Sequence, residues 1–125
     1  MTSSNKVRPT RGEIWLVSLD PTVGSEIQKT RPVVVLSSDF FDTAQTLPIK
    51  LVAPIRHWEK HLEDIPSMVP VEVSKSNGLS KKSLIDALQL RSVDTTRFVK
   101  RLGMLEANQL EMTVLAVGFV IDYPG

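Results

Sequence analysis

Residues 24–39 have the sequence GSEIQKTRPVVVLSSD, in which a polar loop changes abruptly into a hydrophobic run. The first eight of these residues contain one carboxylate and two cations, and Ile27 is their only apolar side chain. Residues 33–36, Val-Val-Val-Leu, form an unbroken apolar run that predicts a strand buried on both faces. The stretch therefore joins a charged loop, residues 25–31, to the core of the fold, with Pro32 at the boundary.

The length and composition of the chain predict a single globular domain. Its 125 residues are 42% hydrophobic and 23% charged, which is ordinary for a soluble protein. The absence of cysteine excludes disulfides, thiolate catalysis and cysteine metal sites. No run approaches the roughly 18 apolar residues of a membrane span, and the first residues lack the apolar region of a secretory signal. We therefore expect a cytoplasmic protein without membrane association, in which residues 1–10 form a disordered tail.

The net charge of +1 conceals an uneven distribution of charge along the chain. Residues 75–101 carry seven cations and two acids, whereas residues 102–125 carry three acids and no cation. A nearly neutral protein of this kind can present a basic face to a polyanion. Scattered, solvated lysines are the alternative explanation of the same counts.

Strand and turn signals follow one another at short spacing. Pro54 restricts the strand that contains it to a sheet edge or a bulge. Asp94 and its neighbours are expected to cap a short helix at residues 95–98, and the one long helical pattern covers residues 107–120. Several strands, short turns and a C-terminal helix predict a mainly-β (α+β) fold, a small twisted barrel with helices attached. The predicted strands are residues 13–19, 33–36, 50–55, 68–73, 83–90 and 101–105.

Six blocks of sequence resemble the MazF/PemK family of toxins in both order and spacing. The Gly-Ser-Glu and Arg-Pro groups, separated by four residues and followed by an apolar strand, are fairly specific to that family. The resemblance covers residues 11–123, which we interpret as a single MazF/PemK-like toxin domain. The six blocks are RGEIW at 11–15, DPTVGSE at 20–26, RPVVVLS at 31–37, GLS at 78–80, QLRSVD at 89–94, and a segment around Gly103.

The resemblance implies an SH3-like small barrel of the CcdB/MazF/PemK type, with short helices and a C-terminal helix. It implies a toxin endoribonuclease that cleaves single-stranded RNA, including mRNA, at short sequence motifs without a metal or another cofactor. Attack by the 2′-OH would leave a 2′,3′-cyclic phosphate or 3′-phosphate and a 5′-OH. The resemblance also implies a homodimer that is inhibited by a cognate antitoxin with a disordered segment.

Arg31 and Glu26 are the first two catalytic candidates. Metal-free cleavage requires deprotonation of the 2′-OH, stabilisation of the phosphorane and protonation of the 5′-oxygen. An arginine holds two phosphate oxygens in a rigid fork, and the resemblance places Arg31 at the family's catalytic arginine. Glu26, at the family's loop glutamate, is expected to accept a proton or to orient Arg31. The alternative is a surface ion pair between the two, worth about 0–1 kcal/mol.

Arg56, the third catalytic candidate, departs from the family pattern. Most members carry a threonine or serine at the matching position near the end of the third strand, and here a long cation replaces that hydroxyl. Arg56 either stabilises the phosphorane, with His57 supplying acid–base function, or points to solvent and leaves a weakened site. In the second case the chain would be an RNA-binding or regulatory protein. A gyrase-targeting CcdB-like toxin is a further alternative, although those proteins lack the arginine-proline loop.

The remaining candidates are expected to bind RNA. Trp58 offers a ring on which a base can stack, or it anchors its own loop. His57 and His61 have the i,i+4 spacing of metal ligands on a helix, but no third histidine or cysteine lies nearby and Pro66 follows closely, so we expect no metal site. Solvated or structural roles are the alternatives for Lys29, Thr30 and Arg91. The predicted RNA-binding residues are Ser25, Gln28, Lys29, Thr30, His57, Trp58, Gln89 and Arg91.

Overall fold

The computed structural model describes residues 7–27, 29–40 and 47–124. Within these ranges the chain forms seven strands, three short 3-10 helices and one long α-helix. The strands are β1 (Glu13–Ser18), β2 (Thr30–Val35), β3 (Ile49–His57), β4 (Met68–Val71), β5 (Ser83–Asp86), β6 (Arg91–Asp94) and β7 (Phe98–Met104), and the α-helix is α1 (Ala107–Val120). The 3-10 helices are Lys60–Leu62, Ala87–Gln89 and Thr95–Arg97.

The strands form one antiparallel sheet in the order β4-β5-β3-β2-β1-β7. Strand β3 is the longest and pairs with three neighbours: β2, β6 along its first four residues, and β5 along its last three. Among the described strands, β4 and β7 end the sheet, so the sheet is open rather than closed. This small-barrel-like sheet with its C-terminal helix confirms the predicted mainly-β fold class.

The central strands are buried on both faces. Val33, Val34 and Val35 of β2 are each 0% exposed. Val34 packs in one apolar cluster with Ile14, whereas its two neighbours pack in a second cluster with Trp15. The division follows from the two-residue period of a strand, which sends successive side chains to opposite faces. The apolar run is therefore a doubly buried strand, as the sequence predicted.

Strand β2 begins earlier than predicted, and this changes the position of a catalytic candidate. The sequence placed Arg31 in a loop, but the strand begins at Thr30 and Arg31 pairs with Val17 of β1. The backbone continues its ladder regardless of side-chain polarity because its N–H and C=O groups need partners. Arg31 therefore projects from the rigid end of a sheet rather than from a loop.

Strand β5 is shorter than predicted. The sequence extended it to residue 90, but it ends at Asp86 and the chain continues as the 3-10 helix Ala87–Gln89. Its partner strand β4 has only four residues, and Met68 at the start of β4 already pairs with Asp86. The ladder ends there for lack of a partner, so Gln89 lies on a 3-10 turn rather than on a strand.

Pro54 lies in the central strand β3, which excludes the sheet edge, one of the two positions that the sequence allowed for it. It pairs with Val33 of β2. On its other side, β3 pairs with β6 through residues 49–52 and with β5 through residues 55–57, which leaves Ala53 and Pro54 at the exchange between the two partners. A proline, which has no N–H to donate, is tolerated at such an interruption of the ladder.

The N-terminal segment is partly described. Residues 1–6 of the predicted tail lie outside the described ranges, but Val7 packs against the cluster that contains Trp15, and Pro9 is buried. The nitrogen of Thr10 donates a hydrogen bond of 2.7 Å to Oε1 of Glu13. Residues 7–10 thus lie on the domain rather than in a tail.

Helix α1 covers the residues predicted for it and has two apolar sides. Leu110, Val117 and Val120 pack against the core, and Ala116 is buried. On the other side lie exposed apolar residues that we call the outer stripe: Met112, Leu115 and Phe119, exposed by 49%, 68% and 63%. In the described part of the chain, no helix is long and apolar enough to cross a membrane.

Candidate active site

Arg31 and Arg56 lie at the same end of the ladder between β2 and β3. Val33 pairs with Pro54, and each arginine lies two residues beyond this pair along its own strand. Because residues two apart in a strand share a face, and paired residues point the same way, both arginines project from one face. The fold therefore brings together two cations that are 25 positions apart in the sequence.

The two arginines line a common cleft of about 500 Å³. We call it the arginine cleft; its lining consists of Ser25, Glu26, Ile27, Arg31, Arg56, His57 and Glu59. A second cavity of about 250 Å³ is lined by the same two arginines, His57 and the turn at residues 78–81, which adds Lys81. The lining of the second cavity carries only positive charge, as suits a polyanion, whereas Glu26 and Glu59 offset the two arginines in the arginine cleft.

The loop before β2 is closed at its base by two hydrogen bonds. The nitrogen of Leu19 donates to the carbonyl of Lys29 at 2.9 Å, and the nitrogen of Lys29 donates to Oδ1 of Asp20 at 2.9 Å. Lys29 has a φ of 69°, in the left-handed region that only a minority of non-glycine residues adopt. Its exposed side chain lies two residues before Arg31, next to exposed Thr30. Gln28, another predicted RNA-binding residue, lies outside the described residues.

Glu26 is used within its own loop. Its Oε1 accepts a hydrogen bond of 2.6 Å from the nitrogen of Val23, three residues earlier. This bond closes the turn that precedes the arginine cleft, while the same side chain lines the cleft beside Arg31. In this arrangement Glu26 shapes the loop.

Gln89 and Arg91 hold the loop from the opposite half of the chain. Oε1 of Gln89 accepts a hydrogen bond of 2.7 Å from the nitrogen of Ile27, and Nη1 of Arg91 donates to the carbonyl of Leu19 at 3.2 Å. Arg97 adds a bond from Nη1 to the carbonyl of Asp20. The two residues predicted to bind RNA thus fix the position of the loop, although both also line a cavity of about 660 Å³.

Arg56 has carboxylate partners on two sides and is 33% exposed. Its Nη2 lies 3.2 Å from Oε2 of Glu59, and its Nη1 lies 3.8 Å from Oδ2 of Asp86. Leu84 of β5 pairs with Arg56, and Asp86 lies two residues further along the same strand face. The long arginine side chain therefore reaches Asp86 as a diagonal neighbour.

Asp86 is a functional candidate that the sequence analysis missed. It is 2% exposed, and among the described residues its Oδ1 has no hydrogen-bond partner. Burial raises the pKa of its carboxyl group, while the charge of Arg56 and the nearby N–H groups of Leu88 and Gln89 act in the opposite direction. The available signal was a single carboxylate at the end of the otherwise apolar run Leu84-Ile85.

The raised pKa of Asp86 has a definite sign for stability. The folded state holds the proton more tightly than the unfolded chain, so this group favours folding fully below its unfolded pKa. The contribution is lost as the pH rises through the folded pKa, and above it the buried charge opposes folding.

His57 and Trp58 follow Arg56 at the end of β3. His57 is exposed and lines both the arginine cleft and the second cavity. Trp58 is half-buried, with Nζ of Lys82 lying 4.3 Å from its ring centroid and its Nε1 donating to Oε2 of Glu63 at 3.1 Å. These contacts make Trp58 an anchor for the segment after β3.

The two histidines do not lie on one helix. His57 ends β3, whereas His61 lies in the 3-10 helix Lys60–Leu62. Within residues 7–27, 29–40 and 47–124, no three His, Cys, Asp or Glu side chains are grouped as metal ligands would be.

Comparison with known proteins gives the family of the chain. Residues 10–120 match the family described as the PemK-like, MazF-like toxin of type II toxin-antitoxin systems. The chain is 33% identical over 118 residues to a protein of Mycobacterium tuberculosis named Endoribonuclease MazF9, a match that covers 90% of this chain and 95% of that protein. The chain therefore belongs to the PemK-like, MazF-like toxin family.

Solved structures share the fold. MazF from Deinococcus radiodurans has a TM-score of 0.76 at 20% identity, over 93% of this chain and 98% of that one. A mycobacterial endoribonuclease in complex with its cognate antitoxin has a TM-score of 0.71 at 14% identity, over 94% of this chain and 99% of that one. At these identities the likeness concerns the fold alone.

Proposed function

We propose that the protein is a toxin endoribonuclease that cleaves single-stranded RNA, including mRNA, at short motifs without a metal ion. The observation that carries the proposal is the pair Arg31 and Arg56, held on one face at the same end of the β2–β3 ladder and lining one cleft. Membership of the toxin family and the name of the mycobacterial relative support the same activity.

The reaction begins with attack of a ribose 2′-oxygen on the adjacent phosphorus. The 2′-OH gives its proton to a base, the P–O2′ bond forms, the P–O5′ bond breaks, and the leaving 5′-oxygen takes up a proton. The products are a 2′,3′-cyclic phosphate, which water can open to a 3′-phosphate, and a 5′-OH.

Arg31 and Arg56 provide the charge that this reaction needs. Each guanidinium holds phosphate oxygens through a planar fork of N–H donors, and the charge that grows on the phosphorane strengthens these contacts. Both side chains project from strands, so little reorganisation is needed when RNA binds. Arg56 thus takes the place of the hydroxyl residue that most family members carry.

His57 and Glu26 are the groups that can carry protons at the arginine cleft. His57 is exposed there, and an imidazole side chain can both accept and return a proton. Glu26 acts first on the shape of the loop through Val23. Exposed Ser25, Lys29 and Thr30 flank the arginine cleft and are proposed to contact the RNA chain.

The proposal includes a homodimer and a cognate antitoxin. The outer stripe of α1 presents apolar side chains, and such surfaces commonly mark protein interfaces. A structure with the same fold is a complex of an endoribonuclease with its cognate antitoxin. We place the toxin in the cytoplasm, where its mRNA substrate is translated.

The proposed chemistry is tested with a substrate that lacks one oxygen. The cut position is mapped on an unmodified single-stranded RNA, and a matched RNA carries a single 2′-deoxynucleotide on the 5′ side of that position. Because the 2′-oxygen is the nucleophile, we expect the modified position to remain uncut while neighbouring motifs are cut normally. Cutting at the deoxy position would overturn 2′-OH attack, and salt-sensitive binding without any cutting would favour an RNA-binding module instead.

A further inference from the structure

The buried carboxylate of Asp86 lies between Arg56 of β3 and Gln89, which holds the loop before β2. We propose that Asp86 is a positioning residue, which sets the orientation of Arg56 and, through Gln89, the position of the loop that carries Glu26. This inference rests on the proposed nuclease function of the arginine cleft.

The same oxygen of Asp86, Oδ2, lies close to both Arg56 and Gln89. Oδ2 lies 3.8 Å from Nη1 of Arg56 and 3.4 Å from Nε2 of Gln89. Gln89 in turn accepts from the nitrogen of Ile27 at 2.7 Å, and its Nε2 lies 3.5 Å from the carbonyl of Ser25. A continuous polar path therefore runs from the guanidinium on β3 to the loop backbone.

Stability does not explain the presence of this carboxylate. Asp86 is 2% exposed, its Oδ1 lacks a hydrogen-bond partner among the described residues, and burial raises the pKa of its carboxyl group. An amide of the same shape would avoid burying a charge. A buried, incompletely paired carboxylate beside a functional cleft is the kind of group that is kept for its effect on a neighbouring residue.

Glu59, the other carboxylate partner of Arg56, differs from Asp86 in its exposure to solvent. It is the second carboxylate partner of Arg56, at 3.2 Å, but its side chain is 49% exposed whereas that of Asp86 is 3% exposed. Water screens the exposed pair and competes with it. When an RNA phosphate enters, Arg56 can exchange Glu59 for the phosphate, while Asp86 continues to hold the guanidinium from the buried side.

Matched variants separate the two carboxylates. We expect Asp86→Asn to lower kcat for RNA cleavage by about 10- to 100-fold, while KM changes by less than about threefold. Glu59→Gln removes the exposed partner that competes with the phosphate for Arg56, so we expect it to lower KM rather than kcat. The melting temperature of Asp86→Asn should be close to that of the wild type, because the amide keeps the shape of the side chain and its oxygen can still accept from Nε2 of Gln89. A loss of kcat would then not be a loss of folded protein.

A double-mutant cycle with Arg56→Gln tests whether Asp86 acts through that arginine. In the Arg56→Gln background we expect Asp86→Asn to lower kcat by a smaller factor than in the wild type, since only the path through Gln89 remains. The proposal is overturned if Asp86→Asn cleaves RNA like the wild type, or if its loss of activity is undiminished without Arg56. Wild-type protein that cuts no RNA would contradict the proposed function instead.

A measurement without RNA tests the link itself. In ¹H–¹⁵N spectra, Asp86→Asn is expected to shift both the side-chain Nε–H signal of Arg56 and the backbone amide signal of Ile27. Glu59→Gln should shift the Arg56 signal and leave that of Ile27 in place. An Ile27 signal unmoved in Asp86→Asn would overturn the proposed path to the loop, whatever the RNA assay shows.

Discussion

Arg31→Ala is expected to lower kcat/KM for RNA cleavage by about 100- to 1,000-fold, with the melting temperature nearly unchanged. Arg31 lines both cavities at the start of β2, and we propose that its guanidinium contacts the phosphate of the RNA there. Removing such a donor from a transition state typically costs about 2.7–4 kcal/mol. Cleavage of a labelled RNA under single-turnover conditions gives the measurement.

Two control variants make this result specific. Arg31→Lys keeps the charge but not the planar fork, so it should recover only part of the lost rate. Arg11→Ala removes an exposed arginine that precedes the opposite end of β1, and it should stay within about twofold of the wild type. Equal losses of kcat/KM in Arg31→Ala and Arg11→Ala would contradict this assignment. They would mean that the overall positive charge of the protein, and not the position of Arg31 in the arginine cleft, determines the rate.

Gly103→Ala is expected to lower the free energy of unfolding by about 4 kcal/mol or more. A Cβ at this position would lie 2.7 Å from the carbonyl carbon of Asn77 and closer still to the carbonyl oxygen of Ser76. The turn at residues 74–78 packs directly on strand β7, and the obstacle is backbone, which cannot rotate away. Urea unfolding followed by tryptophan fluorescence gives the measurement.

Gly24→Ala is the matched control for the glycine prediction. Gly24 has a φ of 59°, but nothing lies within 4 Å of the added methyl group. We therefore expect Gly24→Ala to lower the free energy of unfolding by only about 1–2 kcal/mol, the cost of a left-handed backbone conformation for alanine. Similar losses of stability in the two variants would show that backbone conformation, and not the approach of the turn to β7, determines the effect at Gly103.

The strands and helix that rest on side-chain periodicity could be predicted from the sequence. The apolar run of β2 is buried on both faces, and α1 begins and ends at the predicted residues. The start of β2 could not be predicted, because backbone pairing with β1 carries the strand through the polar residues Thr30 and Arg31. The end of β5 at Asp86 depends on the length of β4, which sequence patterns do not fix.

The residues of the candidate site could be predicted only in part. Arg31, Arg56, Glu26 and His57 were chosen from the sequence, and all four line the arginine cleft. Asp86 was missed because its contact with Arg56 is diagonal and depends on the register between β3 and β5.

The roles of the loop anchors depend on contacts that are distant in sequence. Gln89 binds the nitrogen of Ile27 across 62 residues, and Arg91 binds the carbonyl of Leu19 across 72. No local sequence pattern contains these contacts. The sequence alone therefore indicated a strand that carries Gln89 and Arg91 beside the RNA, and it gave no sign of their hydrogen bonds to the loop. In the structure, Gln89 and Arg91 hold the loop in place through these hydrogen bonds.

The claim that the arginine cleft cleaves RNA without a metal is tested most directly by one incubation. Purified wild-type protein is mixed with a long single-stranded RNA in excess EDTA, and the new ends are mapped. We predict discrete cuts at a short recurring motif, with 5′-OH ends and 2′,3′-cyclic phosphate or 3′-phosphate ends. RNA that stays intact at stoichiometric protein in EDTA, or that is cut only when a divalent metal is restored, would contradict the claim.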